Sequence, residues 1–241
     1  ASNNWRGIQL WAKDFEACTH NFITNNDFSN SEDCGILIQN SYYNTIVANN
    51  VSCSSGEAIF MDNSDHNSIV RNNLSNSRYG IVFFSSTNNV IEGNNISRNE
   101  YGVRLTKFVG DWENSKNNKF FHNNFIDNQN NAWIYQSAPN IWDNDYPSGG
   151  NYWSNYVGWD IYSGPYQNET GSDGIGDSPY AIAGNNIDHY PLMQPFHHKP
   201  INIQTVSLPV PYESQGSTDW CGPACLAMVL RYYGKNVHVW D

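Results

Sequence analysis

The apolar residues of this chain recur in short alternating groups, and the groups repeat every 22 to 23 residues. Three copies begin at Gly35, Ala58 and Gly80, and in each copy the first and third residues that follow are apolar. Alternation with a period of two is typical of β-strands, because an amphipathic helix would place apolar residues three and four positions apart. A fixed period of this length indicates a solenoid of stacked repeats.

Asparagines mark fixed places within each repeat, as in the run Asn72-Asn73-Leu74-Ser75. Three short strands and three turns account for the period, which is one coil of a parallel β-helix with coils about 4.8 Å apart. Stacking then predicts two inward apolar rows, Ile8, Ile36, Ile59, Ile81 and Val103, and Leu10, Ile38, Met61, Phe83 and Leu105. It also predicts a corner row made of Asn26, Asn49, Asn72, Asn94 and Asn123. Asparagine tolerates the left-handed conformation there, and its amide can bond the coils above and below.

The pattern G-I-x-[LIF], N-x-I and N-N-[VLI]-S resembles the right-handed β-helix of NosD-type proteins and of carbohydrate-binding and sugar-hydrolase repeat proteins. The resemblance extends from about Gly7 to Phe196. It implies a secreted or cell-surface protein that handles polysaccharide. Because proteins of this superfamily have several functions, the function must be argued from sites.

The composition argues against several classes of partner. The chain has 241 residues and a formal net charge of −11, and its 12 basic residues form no cluster. These features disfavour binding to nucleic acid or to an anionic membrane surface. The sequence shows no apolar run of membrane-spanning length and no signal-peptide pattern. Since the first repeat begins almost at once, we expect residue 1 to result from processing or fragmentation of a longer chain.

Two repeats are longer than the others and carry insertions at the same strand position. The repeat from Gly7 to Gly35 has 28 residues, and the one from Gly102 to Ala132 has 30. Loops protruding at one corner predict a groove, in which aromatic faces stack on sugar rings and paired carboxylates supply acid–base groups. The carbohydrate-binding candidates are Trp11, Tyr42, Asp62, Asp65, His66, Asp111, Trp112 and Glu113. The alternative is solvated loops whose tryptophans pack on the coil wall.

The repeat decays after Phe125, and the stretch from Trp142 to Phe196 is dense in glycine, proline, tryptophan and tyrosine. A solenoid needs a terminal cap, and aromatic side chains can cover its open end. The segments 150–156, 173–180 and 187–192 resemble the closing segment of NosD-like β-helices. Asp173 and Asp177 are metal-site candidates, because calcium takes carboxylate and backbone oxygens; tight turns are the alternative. We expect no required cofactor, with calcium as the candidate metal.

Four asparagines stand in the Asn-x-Ser/Thr pattern of N-glycosylation, Asn50, Asn73, Asn95 and Asn168. In the first three, the following apolar residue points inward, so we expect the asparagine to point outward and be accessible. Chance is the alternative in a chain this rich in asparagine and serine.

A second module begins near residue 207. The segments 209–215 and 220–234 resemble the start of papain-like cysteine peptidases of the bacteriocin-processing type. The resemblance implies that Cys221 is a nucleophile at a helix N-terminus, where the dipole lowers the thiol pKa, and that Gln215 donates to the oxyanion. Such a peptidase also needs a downstream histidine and an asparagine or aspartate, and the chain stops at Asp241. We therefore expect no competent peptidase in this chain; the segment belongs to a longer protein or serves packing.

Together these patterns predict an all-β protein with a short α-containing tail. Its regions are parallel β-helix coils at 1–146, a capping segment at 147–197, a linker at 198–206 and a partial peptidase segment at 207–241. We predict an extracellular or cell-surface module, not inserted in a membrane, that binds or scaffolds polysaccharide or other surface proteins. One alternative is a structural subunit that self-assembles into a surface sheath or filament. Another is a fragment of a secreted enzyme, either glycan-cleaving or, in the intact protein, a cysteine peptidase.

Overall fold

The computed structural model describes residues 5–12, 17–52, 55–107, 114–135 and 138–198, together with residues 230, 231 and 234. The chain divides into two compact units, Ala1–His198 and Lys199–Asp241. The predicted linker and peptidase segment therefore fall almost wholly outside the described residues. Among the residues that are described, no helix is long and apolar enough to cross a membrane.

The first unit is a parallel β-helix, in which strands of successive coils stack into three parallel sheets. The six-stranded sheet contains β1 (Arg6–Trp11), β3 (Cys34–Gln39), β6 (Glu57–Asp62), β9 (Tyr79–Phe84), β12 (Tyr101–Thr106) and β15 (Asn130–Ile134). The second sheet contains β2 (Phe22–Thr24), β4 (Thr45–Val47), β7 (Ser68–Val70), β10 (Val90–Glu92) and β13 (Lys119–Phe121). The third contains β5 (Asn50–Ser52), β8 (Asn73–Ser75), β11 (Asn95–Ser97), β14 (Asn124–Ile126) and β16 (Tyr152–Trp153). Two antiparallel hairpins follow, β17 (Tyr162–Ser163) with β18 (Glu169–Thr170) and β19 (Tyr180–Ala183) with β20 (Asn186–Asp188). The predicted all-β fold is confirmed.

The register between strands follows the sequence period. Ile59 pairs with Ile36 on one side and with Ile81 on the other, and all three side chains are fully buried. The outward row of the same sheet runs through Gln9, Leu37, Phe60, Val82, Arg104 and Trp133. The last long coil differs from the prediction by one residue, because Ala132 pairs with Val103 and not with Gly102. Equivalent positions in that coil are therefore 29 residues apart.

Two rows of asparagines, most of them buried, run along the turns. In the predicted row, Asn94 Oδ1 accepts the backbone N–H and the side-chain amide of Asn72, at 2.9 and 3.0 Å. Asn94 donates in turn to Asn123, so the amides all point the same way. The left-handed residue is not the asparagine, as predicted, but the one before it, such as Arg71 with φ of 55°. That residue makes the sharp turn, which leaves the next side chain directed inward. The rows contain Asn26, Asn49, Asn72, Asn94, Asn123 and Asn151, and Asn21, Asn44, Asn67, Asn89, Asn118 and Asn140.

The core changes from aliphatic to aromatic towards its C-terminal end. Phe83 meets Phe120 edge-on, with the ring centroids 5.8 Å apart. Phe120 stacks on Trp142 at 4.3 Å and Phe125 stacks on Trp153 at 4.2 Å. Both tryptophans are buried, so they cover the open end of the hydrophobic interior.

The first asparagine row ends at a buried carboxylate, that of Asp188. Its Oδ2 atom accepts the backbone N–H of Asn151 and the indole N–H of Trp153, both at 2.8 Å. Its Oδ1 atom accepts the backbone N–H of Tyr190 at 3.1 Å. Burial raises the pKa of Asp188 to about 7, and the nearby carboxylate of Asp143 adds to the rise while the hydrogen bonds oppose it.

After the cap, the chain contacts earlier coils again. The side chain of Asn124 exchanges two hydrogen bonds with the backbone of Phe196, at 2.7 and 3.1 Å. The Phe196 ring stacks on His122 with centroids 4.0 Å apart. One coil earlier, His198 Nε2 lies 3.0 Å from the carbonyl oxygen of Gly93. These contacts fasten the end of the first unit to the turns of the solenoid.

Candidate functional site

The outer face of the six-stranded sheet carries part of the predicted groove. Trp11 ends β1 and is 52% exposed; it pairs with Gln39, which pairs with Asp62. Gln39 Nε2 donates to Asp62 Oδ2 at 2.7 Å, whereas Asp62 Oδ1 is buried and lacks a partner within the described part of the chain. Burial raises the pKa of Asp62. Trp11 and Asp62 therefore share one face, two strands or about 10 Å apart.

Other predicted residues lie in the turn that follows this sheet. Tyr42 and Asp65 occupy equivalent positions in neighbouring coils. Asp65 Oδ1 accepts the backbone N–H and the hydroxyl of Thr87, at 2.6 and 3.1 Å. Burial raises the pKa of Tyr42, and the charge of Asp65 adds to the effect. Tyr42 and Asp65 thus form a polar edge to the turn.

An exposed column of rings stands beside that edge. His66 stacks on Tyr43 at 5.1 Å, and Tyr43 stacks on His20 at 5.6 Å. Their φ angles of 57°, 57° and 58° show that the three residues make the same turn in successive coils. Because both faces of Tyr43 are occupied by its neighbours, the column presents ring edges to solvent.

The structure thus groups the predicted residues in two places. Trp11 lies with Asp62 on the sheet, and Tyr42 lies with Asp65 and His66 in the turn. Three further groove candidates, Asp111, Trp112 and Glu113, lie outside the described residues, as do the peptidase candidates Cys221 and Gln215. The carbohydrate-binding role of the groove stays a prediction.

A cavity of about 150 Å³ lies on the outer face of the sheet in the later coils, lined by Tyr79, Tyr101, Arg104 and Trp133. Tyr79 and Tyr101 pair in register, and their rings stack with centroids 5.4 Å apart. The guanidinium carbon of Arg104 lies 5.3 Å from the Tyr79 ring centroid and 5.1 Å from that of Trp133. Arg104 Nη1 also donates to the Tyr79 hydroxyl at 3.2 Å. We call this cavity the aromatic pocket.

Charged groups of both signs surround the aromatic pocket. Glu57 pairs with Tyr79 in the sheet. Burial raises the pKa of Glu57 and the Asp33 carboxylate adds to the rise, while Arg104 and Arg78 oppose it. Arg78 lies 3.5 Å from Glu100 in an exposed ion pair. The pocket therefore has a guanidinium group at its centre without a strong excess of either charge around it.

None of the aromatic-pocket residues stands among the predicted candidates, although the sequence pattern contains a signal for them. Tyr79 and Tyr101 each precede the glycine that opens a repeat, so they share one phase. Residues of one phase stack in a β-helix. The sequence does not show the position of Trp133 within its repeat as clearly, because that repeat has Asn131 where the earlier ones have Gly or Ala.

The calcium candidates Asp173 and Asp177 act as hydrogen-bond acceptors in turns. Asp177 accepts the backbone N–H groups of Ile161 and Tyr162, at 3.0 and 3.1 Å. Asp173 accepts that of Ile175 at 3.1 Å. The described residues contain no cluster of three or more His, Cys, Asp or Glu side chains able to hold a metal. The geometry supports the turn-forming alternative, and calcium binding stays a prediction.

The glycosylation candidates lie in two settings. Asn73 Nδ2 donates to Asn50 Oδ1 at 2.8 Å, and Asn95 Nδ2 donates to Asn73 Oδ1 at 3.0 Å, so these three form a further row, directed outward, on the third sheet. Asn168 is exposed and stands just before β18. Attachment of a glycan to Asn73 or Asn95 would take one of the two N–H groups of an amide that donates within the row, whereas Asn168 is not part of the row. Glycosylation stays a prediction at all four.

The sequence matches two protein families. The family described as periplasmic copper-binding protein (NosD) matches residues 1–158, and the Peptidase_C39 like family matches residues 207–240. A probable ABC transporter binding protein NosD from Stutzerimonas stutzeri is 30% identical over 115 residues, covering 48% of this chain and 22% of that protein. Its counterpart from Pseudomonas aeruginosa is 29% identical over 128 residues, covering 53% and 26%. The chain thus spans about a quarter of the length of these relatives.

Among solved structures, the A-module of the mannuronan C-5 epimerase AlgE6 from Azotobacter vinelandii aligns with a TM-score of 0.42 and 11% identity. The alignment covers 58% of this chain and 47% of the epimerase chain.

Proposed function

Because this chain belongs to the family of the periplasmic copper-binding protein NosD, we propose that it works outside the cytoplasm as a β-helix module that binds polysaccharide. The binding surface is the outer face of the six-stranded sheet. The observation that carries the proposal is the aromatic pocket, where Tyr79 stacks on Tyr101 and the Arg104 guanidinium lies beside the rings of Tyr79 and Trp133. A sugar ring offers C–H groups to aromatic faces and hydroxyl oxygens to N–H donors, and the pocket supplies both.

The aromatic pocket fits one sugar ring better than a large ligand. Its volume of about 150 Å³ is below the range typical of drug-sized binding sites. Trp133 is 40% exposed, so its indole is available for stacking at the rim. Trp11, more than half exposed at the other end of the same sheet, would extend the surface for a longer glycan.

The donor set of the described residues does not fit a resident copper ion. Copper is held in proteins by histidine, cysteine and methionine side chains. Among the residues described, His122 and His198 flank Phe196, but their Nε2 atoms face the carbonyl oxygens of Ser148 and Gly93. Within the described ranges, no three His, Cys, Asp or Glu side chains are grouped so that they could hold a metal ion.

Calorimetric titration of the whole chain with soluble neutral and acidic oligosaccharides tests the proposal. Trp133→Ala removes an aromatic wall and should weaken binding roughly tenfold or more, which corresponds to about 1.4 kcal/mol. Trp159→Ala is the matched control, because it removes a tryptophan that is 76% exposed and lies outside the pocket.

The control variant should bind like the unmodified protein, and both variants should keep its melting temperature. The proposal is refuted if no glycan in the panel binds, or if Trp133→Ala binds as well as Trp159→Ala.

A further inference from the structure

A second cavity lies beside the aromatic pocket, on the opposite side of β15. Its volume is about 220 Å³, and it is lined by Asn128, Gln129, Asn130, Asn131, Ala132, Asn155, Tyr180 and Ile182. Strand β15 joins the two cavities, since Asn130 pairs with Tyr101 and Trp133 pairs with Arg104. Asn130 and Trp133 are three residues apart, or about 10 Å along the strand. We call the second cavity the amide pocket.

Hydrogen bonds orient the side chains of the amide pocket. Asn131 Nδ2 donates to Asn155 Oδ1 at 3.0 Å and to the Tyr180 hydroxyl at 3.2 Å. The Tyr180 hydroxyl donates to the same Asn155 oxygen at 3.1 Å. The Tyr180 ring stacks on the buried Trp153 at 4.4 Å, so the hydroxyl is held by the packed end of the core. The pocket is therefore built before any ligand arrives.

The chemistry of the amide pocket selects uncharged polar groups. Its lining offers amide donors, amide oxygens and a phenol, and it contains no Asp, Glu, His, Lys or Arg. Sugar hydroxyls can both donate and accept, which matches such a lining. A polyanion would also meet like charge, because residues 142–198 contain seven Asp and Glu and no Lys or Arg, within a chain of net charge −11.

We propose that the amide pocket is a second sugar subsite, continuous with the aromatic pocket across β15, and that the ligand is a neutral polysaccharide of which at least two sugar units are bound. The inference rests on the proposed function, since it places one sugar on the aromatic residues. It adds the neighbouring unit and the charge class of the polymer. One sugar stacks on Trp133, and the next exchanges hydrogen bonds with Asn155 and Tyr180.

Titration with neutral gluco-oligosaccharides, from the monosaccharide to the hexasaccharide, tests the second subsite. Affinity should rise from one unit to two or three units and then level off. Tyr180→Phe keeps the ring stacked on Trp153 and removes the hydroxyl, and Asn155→Ala removes its acceptor. Each should lower the affinity for longer oligosaccharides roughly tenfold, about 1.4 kcal/mol, without changing the affinity for the monosaccharide. Tyr166→Phe, at a tyrosine 84% exposed and outside both pockets, is the control.

The outcomes separate this inference from the function on which it rests. If binding depends on Trp133 but neither chain length nor the two variants matter, the second subsite is wrong and the proposed function stands. If oligogalacturonates of equal length bind more tightly than the neutral series, the neutral class is wrong. If no oligosaccharide binds, both the function and the subsite fail.

Discussion

Gly93 occupies a turn position with a left-handed backbone, but the backbone is not what requires glycine there. Equivalent positions in other coils hold Ala48, Arg71 and His122, with φ of 56°, 55° and 57°. A Cβ atom on Gly93 would overlap the imidazole of His198. Since the Gly93 carbonyl can only accept, the His198 Nε2 atom 3.0 Å away carries the proton. At this residue, glycine makes room for the returning chain.

Gly93→Ala should therefore displace the His198 ring and lower the free energy of unfolding by about 1–3 kcal/mol. Urea denaturation measures the change. In a His198→Ala background the same substitution should cost clearly less, because the overlapping ring has gone. Equal costs in the two backgrounds would assign the effect to backbone strain instead.

Within an element, neighbouring residues of identical type have opposite roles. Asn94 is fully buried and carries hydrogen bonds to Asn72, Asn123 and the carbonyl of Ile69. Asn95, the next residue, lies in the outward row and donates to Asn73, in the preceding coil, at 3.0 Å. Buried amides without partners are costly, whereas exposed ones can bond to water. The stability of the turns should thus depend on one asparagine of each pair.

Asn94→Ala should lower the free energy of unfolding by about 3–5 kcal/mol, because it leaves the N–H groups of Asn72 and the Ile69 carbonyl unpaired in the interior. Asn95→Ala is the matched substitution one position later and should cost less than about 1 kcal/mol. Chemical denaturation of both variants provides the comparison. Similar losses for the two would contradict the distinction between inner and outer rows.

The rows of stacked residues were predictable, because a constant repeat length places equivalent residues of successive coils next to each other. The inward rows and the stacked Asn49, Asn72 and Asn94 follow from spacing alone. The register of the last coil was not predictable in this way. Asn131 stands there in place of the Gly or Ala that opens each earlier repeat, so the expected register was wrong by one residue. Both pockets depend on that coil, and the amide pocket also depends on Tyr180, which the chain reaches only after the repeat has decayed. The spacing of residues in the sequence does not show that the chain brings Tyr180 back to this coil.

At the scale of the whole molecule, the hydrophobic interior ends at the buried carboxyl group of Asp188. The buried tryptophans Trp142 and Trp153 cover the core, and the carboxyl group of Asp188 accepts a hydrogen bond from the indole N–H of Trp153. The pKa of Asp188 is about 7 in the folded chain, above its ordinary value of 3.8. The folded protein therefore holds this proton more tightly than the unfolded protein does.

We expect the contribution of Asp188 to stability to be complete below about pH 4 and to be lost as pH rises through 7. The loss from this group is on the order of 4 kcal/mol, and it levels off above the folded-state pKa. Denaturant unfolding at a series of pH values, followed by tryptophan fluorescence, measures it. Burial also raises the pKa of Glu57 and Asp62, which contribute with the same sign.

Asp188→Asn isolates the contribution of Asp188, because it keeps the shape of the side chain and removes its proton equilibrium. The variant should be less stable at pH 4, since its amide faces N–H donors, and its stability should change less between pH 4 and 7. An unchanged pH profile would show that other groups cause the dependence.

The asparagine row that ends at Asp188 also has an electrical direction. Each amide from Asn26 to Asn151 donates towards the C-terminal coil, so their dipoles add along the axis as peptide dipoles do in an α-helix. The positive end of this sum lies at Asp188, whose Oδ2 atom accepts the last amide of the row, that of Asn151, at 3.4 Å. The first member, Asn26, is an amide like all the others. Coils added before Asn26 would prolong the same dipole, whereas coils added after Asn151 would first have to displace the Asp188 side chain, so lengthening such a protein is easier at one end than at the other.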